Sequence, residues 1–135
     1  MKTFSAFLFI TIGFLSCKAQ HEPWPKTKNW KVYKGEGQQV FSYSIDTLNS
    51  IPSKRLNQDS IQFFLENMVQ VSDTTHPIWM GSYLASYESS AGKVHKVEVS
   101  IYGGFFYDES SGKYYNLPRQ FNAKWLAFIT GNMPY

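Results

Sequence analysis

A hydrolase or transferase built on this chain would need an activated nucleophile, a base within reach of it and a group to orient the base. The residues able to supply these are few. There is one thiol, Cys17, three histidines, His21, His76 and His95, and no Gly-x-Ser-x-Gly elbow. No two histidines lie four residues apart and the only thiol, Cys17, is at the leader boundary, so the converging ligands of a zinc centre are not prefigured. His95 falls on the apolar side of an alternating stretch, the setting of a hydrogen-bonded structural imidazole. Asp108, Ser110 and Gly112 have the spacing of an oxygen-ligand calcium loop but lack its closing glutamate, and a charged hairpin tip explains them. Asp108 and Glu109 could pair for glycoside cleavage, yet neighbours in a strand point to opposite faces. The sequence therefore leans against an enzyme, and no catalytic residue, metal or cofactor is expected.

The binding chemistry is aromatic. Tyr102-Gly103-Gly104-Phe105-Phe106-Tyr107 stands opposite Tyr114-Tyr115, and two glycines inside a strand mark a bulge or a place where another group approaches the backbone. Alternation puts Tyr102 and Phe106 on the outer side. Tyr102, Phe106 and Tyr114, with Asp108 beside them and Tyr83 or Tyr87 nearby, are the expected binding residues. The competing reading is a kinked strand whose outer rings are covered by the last helix or by an arm carrying Trp24.

The elements that must position these residues are set by periodicity. Val94 to Tyr107 alternates as one long half-buried strand, His95, Val97, Val99, Ile101, Phe105 and Tyr107 facing inward, and Lys113 to Leu117 pairs back on it. Trp30–Lys34 and Gln39–Ile45 read as a hairpin through Gly35-Glu36-Gly37. A Gly-x-Gly without a following helix gives no phosphate loop. Residues 46–57 read as a loop in which Lys54-Arg55 is a solvated pair. A helix capped by Asp59 and Gln62 carries an apolar face of Ile61, Phe64, Leu65 and Met68. Residues 78–88 form a central strand, and Pro118 opens a final helix with Phe121, Trp125, Leu126, Phe128 and Ile129 on one face and Gly131 as its C-cap. The order β-β-α-β-β-β-α predicts an α+β fold: an antiparallel sheet of about five strands with two helices packed on it, in two layers.

The chain has 135 residues, 43% of them apolar and 17% charged, enough for one domain with a real core. Residues 18–55 carry seven basic and three acidic side chains and residues 56–135 five and seven, so a basic arm leads a mildly acidic body. With no cationic cluster in the folded part, nucleic-acid binding is not expected.

Met1-Lys2-Thr3 followed by apolar Phe4–Leu15 has the form of a signal peptide, too short to span a bilayer. Phe14-Leu15-Ser16-Cys17 resembles the lipobox of bacterial lipoproteins, with Phe14 where leucine is usual and Leu15 where a small residue is usual. That resemblance implies cleavage before Cys17 and lipid attachment there; the alternative is cleavage after Ala19, leaving a soluble periplasmic or secreted chain. The expected organisation is a signal peptide over 1–16, a tether over 17–29, in which Trp24 between two prolines docks onto the body, and a domain over 30–135. Together these readings imply an exported, lipid-anchored envelope protein acting as a non-catalytic protein-binding module of inhibitor or immunity type. A glycan- or peptidoglycan-binding lipoprotein and an accessory structural lipoprotein are the alternatives.

Overall fold

The structure, a computed structural model, describes residues 24–71, 82–101 and 104–135. Within these residues seven strands form one antiparallel sheet: β1 Thr27–Tyr33, β2 Ser53–Arg55, β3 Val69–Val71, β4 Ser82–Ser89, β5 Val94–Ser100, β6 Phe105–Asp108 and β7 Lys113–Asn116. Their order across it is β2-β1-β4-β5-β6-β7-β3, and every neighbouring pair is antiparallel. Four described helices accompany it: α1 Gly37–Phe41, α2 Ile45–Leu48, α3 Gln58–Glu66 and α4 Asn122–Gly131, the last entered through a 3-10 turn at Arg119–Phe121. The α+β class and single antiparallel sheet match the sequence reading, with seven strands and four helices in place of about five and two.

The helices lie on both faces, so there are three layers and not two. On one face α3 and α4 bury Ile61, Phe64, Leu65, Trp125 and Ile129 against Trp30, Ala85, Tyr87, Val97, Val99 and Phe106. The other face is covered by the short helices, whose Val40 and Leu48 pack on Tyr33 and Leu84. Alternation along β4 explains the division, since Leu84 and Ala85 are neighbours in sequence and belong to different cores.

Residues 39–45 are the plainest departure from expectation, holding the end of α1, a turn and the start of α2 rather than a second strand. Both edges of β1 are already taken, by β2 and by β4, which leaves no ladder for another strand. Ser44 caps α2, its hydroxyl accepting from Thr47 N at 3.2 Å. Gly37 lets α1 lie flat on the sheet, because a Cβ there would sit 2.7 Å from Ser82 Oγ and 2.9 Å from β4 backbone. The expected loop at 46–57 holds the rest of α2 and all of β2.

The stretch 94–107 is two strands rather than one. Val99 pairs with Phe106 and Val97 with Asp108, so β6 runs back along β5. The connection inverts parity: the positions that share the main-core face are odd in β5 (Val97, Val99) and even in β6 (Phe106, Asp108). Gly104 enables the reversal with φ +61° and by clearance, since a Cβ would lie 2.8 Å from Leu117 Cβ.

Caps differ in detail. Asn57, not Asp59, caps α3, its side chain accepting from Ser60 N at 2.9 Å. Gly131 stays inside α4; Asn132 closes that helix, donating its side-chain amide to Phe128 O at 2.7 Å. Trp24 docks on the body with its ring 4.3 Å from that of Tyr115, and β1 begins at Thr27, inside the expected tether. The expected strand over 78–88 is seen from Ser82; its first residues, His76, and the leader with Cys17 and His21 lie outside the described residues.

Candidate functional site

The expected aromatic platform does not assemble on one surface. Phe106 is fully buried, with Trp125 at 4.8 Å and Trp24 at 6.3 Å between ring centroids. Tyr114 lies on the opposite face, half-buried, its ring 4.7 Å from Tyr107. Register separates them, since Phe106 pairs with Tyr115 and Tyr107 with Tyr114. Tyr83 is half-buried against the main core and Tyr87 is buried within it. Tyr102 lies outside the described residues. Phe106 is therefore covered by the last helix and the Trp24 arm, the second of the two readings its sequence allows.

Asp108 is buried as well and surrounded by donors. Its Oδ1 accepts from Tyr87 OH at 3.1 Å and Ser110 N at 3.3 Å, its Oδ2 from Ser110 Oγ and Ser111 Oγ, each at 2.7 Å. Both oxygens are thus engaged in locking the β6–β7 turn. Burial pushes the Tyr87 phenol up to about 12, against the pull of its Ser110 hydrogen bond and helped by the Asp108 charge. Glu109 points away and pairs with Lys96 at 3.0 Å, so the two carboxylates do not converge. Lys96 also donates to Phe41 O at 2.7 Å and Tyr43 O at 3.3 Å, tying α1 to the sheet. His95 is half-buried with its ring 5.2 Å from Tyr87. Among the described residues no three His, Cys, Asp or Glu side chains group as metal ligands.

A different set of polar groups has been gathered by the sheet. Arg55 on β2 lies directly across from Lys31 on β1, and Lys31 across from Ser86 on β4. Directly opposed like charges destabilise a sheet. Neither cation makes an ion pair or side-chain hydrogen bond with another described residue. They open onto a cavity of about 200 Å³ whose wall also holds Asn29, Asn49 and Glu88. Tyr33 and Ser86 line it too, as a buried hydroxyl pair 2.8 Å apart. Asn29 takes a left-handed conformation at φ 55° and donates to Glu88 at 2.7 Å, while Lys28 pairs with the same carboxylate at 3.2 Å. Those two hydrogen bonds hold Glu88 below the usual carboxylate range.

Sequence reasoning passed over Lys31 and read Arg55 as half of a solvated pair. Charges on an edge strand guard against strand addition, which accounts for Lys54 and Arg55 on β2. It does not account for Lys31, which sits one strand in. Only the β1–β2 register brings the two together.

A second concavity, about 310 Å³ between α3 and α4, is lined by Phe63, Phe64 and Phe128, with Lys124 Nζ 3.9 Å above the Phe63 ring. No helix among the described residues is long and apolar enough to cross a membrane. The molecule is thus an α+β protein with one antiparallel sheet and a basic cleft on its minor face. No protein-family model, curated protein or solved structure matches the chain.

Proposed function

We propose that this chain is an exported envelope protein, anchored through lipid on Cys17, that acts as a non-catalytic binding module for another envelope protein and engages it through the Lys31–Arg55 cleft. The observation that carries this reading is the unpaired cation pair at a cavity, in a molecule whose other candidate groups are committed to structure: Asp108 to its turn, Lys96 to α1, Phe106 to the core. A cationic surface of this kind favours a partner with an acidic face, because complementary charge steers encounter and fixes orientation. The glycan-binding alternative draws less support, since it needs exposed ring faces and Phe106 offers none.

The reading is tested in cells by a photo-reactive residue in place of Ser53, which shares the exposed β2 strand with Arg55. The expected result is one discrete protein adduct, lost when Lys31→Glu and Arg55→Glu are combined, with no adduct from the same probe at Gln120. An adduct from Ser53 that survives charge reversal, or none from Ser53, would count against the cleft as the docking surface.

A further inference from the structure

The cleft has a chemistry more specific than positive charge, and a ligand assigned to it rests on the cleft being the binding surface. Two full cations face one cavity, and the carboxylate on its wall, Glu88, is hydrogen-bonded to Lys28 and Asn29 and also feels the charge of Lys31. Lys31 and Arg55 together outweigh that one carboxylate, so the cavity wall keeps a positive excess for an entering anion. A dianion would neutralise both. The other lining groups are suited to donate. Of the two hydrogens in the Tyr33–Ser86 hydroxyl pair, one is used between them, and that of the accepting hydroxyl has no described acceptor, although both side chains are buried. Asn49 adds an amide at the end of α2. The guanidinium fork of Arg55 matches two oxygens of a tetrahedral oxyanion, and Lys31 supplies a point charge beside it. A volume of about 200 Å³ accommodates a phosphate group and leaves room for part of the molecule that carries it.

We infer that the cavity between β2, β1 and β4 is a binding site for a phosphate dianion, held by Arg55 and Lys31 with hydroxyl donation from the Tyr33–Ser86 pair. The group can come from free phosphate or a soluble phosphomonoester, or from the headgroup of a phosphomonoester lipid in the membrane that carries the anchor. The chemistry recognised is the same.

The test uses the folded mature chain with Cys17 left unacylated, titrated at pH 7.5 and constant ionic strength with inorganic phosphate, and separately with acetate and chloride, while backbone amide signals are followed by NMR. Phosphate is expected to shift residues 29–33, 53–55 and 86–88. Its affinity should fall by about tenfold or more in Arg55→Gln and in Lys31→Gln, the loss expected on removing one charge-assisted hydrogen bond, and stay unchanged in Lys54→Gln. Sedimentation with vesicles of phosphatidic acid in phosphatidylcholine, against phosphatidylcholine alone, separates the sources: retention that requires Arg55 assigns the lipid, and solution binding without retention assigns a soluble phosphate. The phosphate site is overturned if acetate or chloride produces the same shifts as phosphate, or if both glutamine variants, folded by circular dichroism, bind phosphate as the parent does. Failure here with a persisting Ser53 cross-link would leave the protein-docking role standing.

Discussion

Truncating Trp125 to alanine is expected to destabilise the fold by about 3–5 kcal/mol, the range for removing a buried tryptophan. Trp125 is 1% exposed and stands where α4 meets the sheet. Its ring meets Phe64 of α3 edge-on at 5.1 Å and Phe106 of β6 at 4.8 Å. Its indole nitrogen donates to Ser100 O at 2.9 Å, at the point where β5 ends and the chain reverses. Alanine would open a cavity and remove that hydrogen bond. Since small domains are stable by only about 5–15 kcal/mol, urea denaturation should show a large part of the total lost. A change below about 1 kcal/mol would mean that α4 is not packed as described.

Asp108→Ala is expected to cost about 2–3 kcal/mol, because it removes the charged acceptor of a partly buried network. The cost should be uneven. Ser110 and Ser111 are exposed and recover water, whereas Tyr87 is buried and keeps only its 3.0 Å contact with Ser110. Asp108→Asn retains an acceptor for Tyr87 and Ser110 N while weakening the serine bonds, so about half the loss is expected. Equal losses in the two variants would contradict the assigned pattern. The network also sets an alkaline limb. A phenol raised from 10 to about 12 keeps its proton in the folded state after the unfolded chain has lost it. Its contribution is therefore intact below pH 10 and lost as pH rises through about 12. Tyr87→Phe should flatten that part of the stability profile.

Parts of the molecule with a local cause were legible in the sequence. Ile61, Phe64, Leu65 and Met68 recur at helical spacing and all four are buried. The reversals at 89–93 and 109–112 fall where Ser and Gly cluster, and Gly92 and Gly112 take positive φ there. What was not legible depends on partners distant in the chain. Val40, Phe41, Tyr43 and Ile45 suit a strand as well as two short helices, and the choice is made by β2 and β4 occupying both edges of β1. Phe106 reads as outward facing because the alternation looks continuous, yet the β5–β6 register pairs it with Val99 and places it inward. Lys31 and Arg55 lie far apart in sequence and become a pair only through antiparallel register. The composition of either segment suggests nothing beyond solvation.

The envelope-protein docking proposed for the cleft requires a chain that works outside the cytoplasm, held through Cys17. The mass of the N-terminal peptide, taken from the protein isolated from its own cell envelope, tests that requirement most directly. The expected peptide begins at Cys17 and carries a thioether-linked diacylglycerol with an acylated amine. A peptide beginning at unmodified Gln20, or one that retains Met1, would contradict anchoring through Cys17.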